Sequence, residues 1–208
     1  MNVVIRFLLP LFILSYAGCA SFNDPVMKMP LKNGTGTYDV SYKHIIASGY
    51  WECYQVNFEM ASDLFFASYK TFTIRKNLYD REAIVDAKGT KVLSQEMLSF
   101  YHNKIYDVAP AVVLFVDGRP FTLAYYSGSS KTVSRVGGGT ASAFSVMTYV
   151  LSRDVIAAMK TMTSLTFQFG TDKIDLDANL IAATRSFCID TDGMDFKTFA
   201  GKVAASKL

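Results

Sequence analysis

Histidine, cysteine and proline are all scarce in this chain of 208 residues, which contains two, three and five of them respectively. With two histidines and no C-x-x-C or H-E-x-x-H pattern, the sequence offers no recognisable zinc site, and we expect no metal and no cofactor. Charged residues are only 19% of the chain, and the net charge of +3 comes without basic blocks. Nucleic-acid binders need a stronger positive field to neutralise phosphates, so we expect no nucleic-acid partner.

Serine-nucleophile motifs are also missing. No serine lies in a G-x-S-x-G pattern, and no lysine has a serine three residues before it. A cysteine nucleophile at Cys53 or Cys188, served by His44 or His102, is the remaining catalytic option. We therefore expect a non-enzymatic protein and keep an envelope hydrolase with an unrecognised Cys/His site as an alternative.

Apolar residues, by contrast, are plentiful. Hydrophobic residues make up 50% of the chain, which includes 16 phenylalanines and 12 tyrosines. A chain of this length and composition buries enough apolar surface to offset its conformational entropy, but it is too short for two large domains. We predict a single globular domain.

The N-terminal segment has the layout of a secretory signal. Arg6 is its charged residue, an apolar run extends from Phe7 to Tyr16, and the small residues Ala17 and Gly18 follow. The apolar run of about ten residues is shorter than the roughly twenty that cross a bilayer as a helix. We predict a signal peptide at residues 1–18 rather than a membrane span.

A cysteine ends this segment, and Ala17-Gly18-Cys19 resembles the lipobox of bacterial lipoproteins. The resemblance is confined to the leader. It implies that signal peptidase II cleaves before Cys19, whose thiol and new amino group then carry fatty acids such as palmitate. Ala20 stands where aspartate would retain a lipoprotein in the inner membrane, so the resemblance implies the outer membrane of a Gram-negative cell, on its periplasmic face. The alternatives are an ordinary signal that leaves Cys19 unmodified and an uncleaved anchor.

The residues after the lipobox show no periodic pattern of apolar residues. Two prolines and two glycines interrupt residues 20–36, which we interpret, with the lipidated Cys19, as a flexible tether spanning 19–36. We assign residues 37–208 to the globular domain. The export signal places that domain in a compartment that permits disulfides, so Cys53 and Cys188 are a possible disulfide pair. Two buried, unpaired thiols are the alternative.

Strand patterns dominate the first part of the domain. Alternating apolar residues after Thr37 and after Trp51 predict strands, and Asp117-Gly118 predicts a hairpin turn. A second hairpin is predicted at 165–176, and a helical turn or two at 94–102. Helices are predicted from Arg153 behind an N-cap at Ser152, from Asp177 or Asn179, and after Gly193. We predict an α+β fold built mainly on antiparallel sheet, with two or three helices in the C-terminal half; a β-sandwich with peripheral helices is the alternative.

Three polar clusters qualify as weak binding sites. The glycine-rich loop could bind an anion through backbone amides and flanking cations; its residues are Lys131, Arg135, Gly137, Gly138 and Gly139. The acidic run at 190–195 only partly resembles a calcium loop, and we interpret it as a helix cap at Asp192. His44 and His102 are interpreted as a cross-strand residue and a helix end.

Tyrosine and tryptophan on strand patterns are the last clue. Those that lie outside the core could line a contact with a glycan or a protein; candidates are Tyr50, Trp51, Tyr54, Tyr125 and Tyr126. We therefore expect a membrane-anchored module that binds or scaffolds another envelope component, with a small-ligand carrier as a further alternative.

Overall fold

The computed structural model describes residues 24–32, 34–47, 51–65, 68–82, 84–85, 91–102, 108–133 and 142–206. Antiparallel sheets and three C-terminal helices make up these ranges, which confirms the predicted α+β class. The strands are β1 (Val26–Pro30), β2 (Thr37–Ala47), β3 (Trp51–Phe65), β4 (Ser68–Tyr79), β5 (Ile84–Val85), β6 (Lys91–Val92), β7 (Ser94–His102), β8 (Val112–Val116), β9 (Arg119–Thr122), β10 (Ala124–Val133), β11 (Ser142–Val150), β12 (Leu165–Phe169) and β13 (Asp172–Asp175). The helices are α1 (Arg153–Met159), α2 (Ala178–Thr191) and α3 (Phe196–Ala205).

Two of the sheets pack face to face. The larger has seven strands in the order β1-β2-β3-β4-β7-β11-β10, and the smaller has four in the order β13-β12-β8-β9. Phe72 of the large sheet stacks on Phe167 of the small one with ring centroids 4.2 Å apart, and Phe100 lies 4.0 Å from Phe169. These buried rings form the centre of a sandwich core, where interdigitating apolar side chains stabilise both sheets.

The helices α2 and α3 pack on the same face of the large sheet. Phe187 of α2 stacks on Phe58, and Phe199 of α3 makes an edge contact with Tyr54. The β3 side chains point alternately to the two faces of the sheet, so these partners share one face, which we call the core face. The small sheet and the two helices together cover it.

A buried lysine joins the core face to the end of α2. The Lys76 ammonium donates to the backbone carbonyl of Thr191 at 2.6 Å and forms an ion pair with Glu96 at 2.7 Å. Cations are favourable at helix C-termini, where carbonyls lack intrahelical partners. Because both of its partners are in place, this charge is compensated inside the fold.

Turn chemistry fixes both predicted hairpins. Asp117 and Gly118 have φ angles of 49° and 79°, the two positive values that a tight two-residue hairpin turn requires. The Asp117 carboxylate also accepts hydrogen bonds from the amides of Thr163 and Ser164, both at 2.8 Å. The second hairpin turns at Gly170, with φ 59°. Both predictions are confirmed.

Helix caps were predicted correctly for two helices and wrongly for the third. The Ser152 hydroxyl accepts from the Val155 amide, and the Asp177 carboxylate accepts from the amides at the start of α2. Helix α3 begins behind Asp195, which accepts from the Thr198 amide at 2.7 Å, and not behind Asp192. Asp192 is instead the C-cap of α2 and forms an ion pair with Lys160.

Two segments differ from their predicted structure. Residues 94–102, predicted as a helical turn, form β7, because Leu98 and Phe100 alternate toward the core face. Part of the predicted tether is the edge strand β1, which pairs with β2 from Val26 opposite Ser41 to Pro30 opposite Thr37. The flexible interpretation of 19–36 is therefore wrong for this strand.

The possible disulfide is not formed. Cys53 and Cys188 are both free and buried. Cys188 lies on α2 within the hydrophobic core, whereas Cys53, next to Tyr54 on β3, points to the opposite face of the sheet. The sheet itself separates the two sulfur atoms, and a bridge requires Cα atoms within about 7 Å.

Candidate functional site

The large sheet has a second face, on which buried polar side chains gather. Strand alternation and pairing place them side by side: Asn57 lies opposite Arg75, Asn77 opposite Gln95, and Ser99 opposite Thr148. All six are at most 8% exposed. Four buried apolar residues outside the main core share this face. We call it the polar face, formed by Cys53, Asn57, Arg75, Asn77, Tyr79, Gln95, Met97, Ser99, Val146 and Thr148.

Some of these polar groups bind one another. The Arg75 Nε donates to the Asn57 Oδ1 at 3.0 Å, and the hydroxyls of Ser99 and Thr148 lie 3.3 Å apart. Such cross-strand pairs compensate polar groups that are withdrawn from water.

Two acceptors next to the Asn57–Arg75 pair lack a hydrogen-bond partner. These are the Asn77 Oδ1 and the Gln95 Oε1, which belong to directly opposed residues of β4 and β7. Among the described residues only one other buried side-chain oxygen, that of Thr184 on α2, is in the same position. Each unpaired buried acceptor lowers the free energy of unfolding by about 1–3 kcal/mol. Native proteins contain few such groups, so two neighbouring ones require an explanation.

Aromatic side chains border the unpaired acceptors. Tyr79, opposite Cys53, makes an edge contact with Trp51 at 5.7 Å between ring centroids. Burial and the nearby Cys53 thiol raise the pKa of Tyr79, a side-chain hydrogen bond with Asn77 lowers it, and the nearby Tyr126 phenol raises it. Tyr126 is 45% exposed. The polar face thus runs from buried amides to an accessible aromatic border.

The cysteines and histidines of the alternative hydrolase site do not come together. Burial raises the thiol pKa of both Cys53 and Cys188 to about 12, so at neutral pH neither carries appreciable thiolate. His44 stacks on Tyr54 and lies 3.1 Å from Glu52, on the face opposite Cys53.

His102 is not a helix end as predicted. It lies in β7 beside the rings of Phe100 and Phe169, on the core face. The Cys/His site of the alternative hydrolase therefore has no geometric support.

The polar clusters predicted from sequence have different outcomes. Lys131 belongs to β10 through its backbone pairing with Phe144, while Arg135, Gly137, Gly138 and Gly139 lie outside the described residues. In the acidic run, Asp190 forms an ion pair with Lys32 at 2.6 Å and accepts from the Tyr38 hydroxyl at 2.7 Å. Across the described ranges no group of three acidic, histidine or cysteine side chains is placed to hold a metal.

Sequence reasoning missed the amides of the polar face. Asn57, Arg75, Asn77 and Gln95 occupy alternate strand positions, which is the usual pattern of a solvated surface. The sequence of β4 does contain one indication. Arg75, Lys76 and Asn77 are three consecutive polar residues, so each face of this strand carries at least one of them. Such a run in a central strand indicates buried polar contacts on both faces.

Within the part of the chain that the structure describes, no helix is long and apolar enough to cross a membrane. Comparison of the chain with family models, with curated protein sequences and with solved structures finds no significant match in any of the three.

Proposed function

We propose that the protein is a lipoprotein of the bacterial outer membrane, anchored through Cys19 on the periplasmic side, and that its domain is a non-enzymatic binding module for another envelope component. The anchor rests on the resemblance of Ala17-Gly18-Cys19 to a lipobox. The binding role rests on the polar face described above.

The observation that carries the binding role is the pair of unpaired acceptors at Asn77 and Gln95. A folded chain gains nothing by burying amide oxygens without partners, since each forfeits the hydrogen bonds it made to water. Both oxygens are closed to solvent in the free domain, so a partner that donates to them must first open this face, and it then recovers that energy. Unfavourable features that a partner relieves are typical of binding surfaces.

The anchor is tested by replacing Cys19 with serine in the full chain. We expect the wild-type protein to fractionate with membranes and to show fatty acids on Cys19 in its intact mass. The Cys19→Ser variant should retain its leader and lack those acyl groups. Equal processing, with mature masses that differ only by the exchange of sulfur for oxygen, would contradict the lipid anchor.

The binding role is tested by cross-linking in intact envelopes, followed by capture of the full-length protein in detergent. Gln95→Met removes one unpaired acceptor with little change in side-chain volume. Gln168→Met makes the same exchange on β12, away from the polar face, and is the matched control. We expect a reproducible cross-linked component that is depleted in Gln95→Met alone. Equal recovery with both variants, or no recovery with the wild type, would overturn the proposal.

A further inference from the structure

We infer that the protein forms a two-fold symmetric dimer in which the edge strand β10 of one copy pairs antiparallel with β10 of a second copy. Three features carry this inference: β10 is an accessible edge, its sequence lacks the devices that protect the other edges, and its register allows it to pair with itself. The inference does not depend on the binding role proposed above.

Strand β10 is the last strand of the large sheet, and its edge is open to solvent. Its one neighbour among the described strands is β11. Gly128 and Ser129 in the middle of the strand are exposed, and Tyr125 and Tyr126 at its start are 51% and 45% exposed. A register shift between Tyr125 and Ser127 is confined to the start, and the rest of the strand pairs with β11 without interruption. A partner can therefore reach this edge without any opening of the fold.

The hydrogen bonding of β11 determines which backbone groups of β10 point outward. Directly after β11 the Leu151 amide donates to the Glu96 carbonyl at 3.0 Å, so the odd-numbered positions of β11 bond to β7. Backbone groups of a central strand alternate between its two neighbours, so the even-numbered positions, such as Val146, bond to β10. Val146 lies opposite Ser129, and the positions of β10 on either side of Ser129 point away from β11. The outward amides and carbonyls belong to Gly128, Ser130 and Thr132.

The other edges of the two packed sheets carry devices that discourage the addition of a strand. Strand β1 has five residues, which include Lys28 and Pro30. Strand β9 has four residues, with Arg119 and Pro120 among them, and β13 has four residues that are mostly charged. Short length, charge and proline all hinder strand pairing at an edge. Strand β10, by contrast, has ten residues with Lys131 as its one charge, and its sequence contains no proline.

The unbroken part of β10, residues 127–133, can pair with the same residues of a second copy. Outward-pointing residues must oppose each other in an antiparallel pair, and this condition is met when the two-fold axis passes through Ser130. Lys131 then lies opposite Ser129 of the second copy, so no two like charges oppose each other directly. The two seven-stranded sheets become one continuous sheet across the axis.

A second copy suits this edge better than a strand from another protein. A foreign strand gains specificity from pockets for its alternate side chains. Residues 127–130 are serine and glycine, whose side chains are too small to form such pockets, whereas a two-fold pair takes its register from symmetry. A standard interface contains about 20–30 residues from each partner. The shorter pairing over residues 127–133 therefore predicts a weak dimer, with a dissociation constant in roughly the micromolar range.

The inference is tested by sedimentation equilibrium of the full-length protein in a density-matched detergent. Ser130→Pro removes an outward amide on the axis and leaves the hydrogen bonds to β11 in place. Thr122→Pro is the matched control: the neighbouring Leu123 amide donates to the Val112 carbonyl of β8, so the Thr122 amide points outward at the edge of the small sheet. We expect a reversible dimer for the wild type and for Thr122→Pro, and a dissociation constant about tenfold higher, or more, for Ser130→Pro. Two copies that merely share a micelle would behave alike in all three proteins.

A cysteine on the proposed axis gives a second readout, which does not require Ser130→Pro to fold. Opposed Cα atoms of an antiparallel hydrogen-bonded pair lie about 5.5 Å apart, within the range of a disulfide. Oxidation of the Ser130→Cys variant in membranes of the expressing cells should therefore give a covalent dimer. The Thr122→Cys variant is the control and should stay monomeric, and the buried Cys53 and Cys188 do not compete.

The remaining outcomes overturn the inference. A wild type that stays monomeric at every concentration does so, and so does the absence of a covalent dimer from Ser130→Cys. A dimer that Ser130→Pro and Thr122→Pro form equally well would place the contact on another surface. A disulfide between the Ser130→Cys variant and a different protein would show that the edge takes a foreign strand in place of a second copy. None of these outcomes depends on Cys19 or Gln95, so the proposed function is tested separately.

Discussion

At the scale of single residues, the two faces of the large sheet differ in whether their buried polar groups have partners. Lys76 and Asp190 are buried with all the partners that a charge requires, whereas Asn77 and Gln95 each retain an acceptor without one. Removal of a partner of Lys76 or Asp190 would leave a buried charge uncompensated and would lower the stability of the fold. The unpaired acceptors lower its stability, and such exceptions are expected where a protein meets a ligand.

Close packing at Gly128 gives a prediction on stability. A Cβ at this position would lie 2.7 Å from the Tyr125 hydroxyl, 3.1 Å from the Val146 carbonyl and 3.2 Å from a Met147 side-chain carbon. We expect Gly128→Ala to lower the free energy of unfolding by about 1–3 kcal/mol, because neighbouring groups must move. Urea denaturation measures the change.

The matched control for this substitution is Gly201→Ala. Gly201 lies within α3, and a Cβ there meets no neighbour within 4 Å. Because alanine is the better helix former, this variant should gain about 0.5–1 kcal/mol. Equal losses in both variants would contradict the packing argument.

Asp117 gives a prediction on pH dependence. Hydrogen bonds from the Thr163 amide, the Thr163 hydroxyl and Ser164 hold its pKa below the ordinary value of 3.8. A depressed folded-state pKa stabilises the protein at pH values above the unfolded pKa, and this stabilisation is lost as the pH falls through the folded pKa. Asparagine keeps the acceptor and tolerates the positive φ of 49°.

We therefore expect Asp117→Asn to unfold more readily than the wild type at pH 7, with a difference that shrinks below roughly pH 4. Urea unfolding at a series of pH values from 7 to acid measures it. Asp39→Asn, which changes an exposed carboxylate on β2, is the control. A constant difference across the whole pH range would show that the charge is not the cause.

At the scale of elements, the N-terminal edge strand β1 depends on a few contacts that its neighbouring residues make with α2. Asp190 on α2 binds Lys32 just after β1 and Tyr38 at the start of β2, and the Lys32 amide donates to the Ser186 hydroxyl. These contacts hold the segment between β1 and β2 against α2. Strand β1 has a single neighbour, β2, so it relies on them more than the central strands do.

We expect Asp190→Asn to increase hydrogen exchange of the β1 amides about tenfold while exchange in β7 stays unchanged. The cause is loss of the ion pair between the buried Asp190 carboxylate and the exposed Lys32 ammonium. Asp192→Asn is the matched control, since its carboxylate is 60% exposed and binds Lys160 instead. Uniform acceleration in every strand would indicate global destabilisation and refute a local role.

Elements with distinctive local chemistry were the ones that sequence could predict. Asp117-Gly118 and Gly170 supply the positive φ angles of the two hairpins, and Ser152 and Asp177 supply the side-chain caps of α1 and α2. These signals act within a few residues, so they require no knowledge of the tertiary fold.

Elements that depend on distant partners were missed. The sequence of β1 has no regular alternation of apolar residues. Its pairing with β2 and the contact between Lys32 and Asp190 hold it in place. Strand β7 is buried on both faces, which hides the alternation of an ordinary strand. The polar face was missed for the same reason, because only strand pairing brings Asn77 and Gln95 together.

At the scale of the whole molecule, the large sheet divides two chemistries. One face packs against the small sheet and the helices in a continuous apolar core, and the other holds the polar face. This division places Cys188 in the first compartment and Cys53 in the second. The fold thereby keeps its two domain thiols apart.

We expect reduction to change neither the intact mass nor the thermal midpoint of the Cys19→Ser variant, whose remaining cysteines are both free. Because both thiols are 1% exposed and have pKa values near 12, iodoacetamide should modify them only after unfolding. A mass gain of two hydrogens on reduction would reveal a bridge and refute the separation of the thiols.

The edge strand β1 also sets how far the domain can stand from a bilayer. Six residues separate an acylated Cys19 from Val26, so the two Cα atoms are seven residue steps apart, or about 23 Å when fully extended at roughly 3.3 Å per residue. The protein would then sample only molecules that lie close to the leaflet holding it, and its ligand would have to come to the membrane rather than be reached across the periplasm.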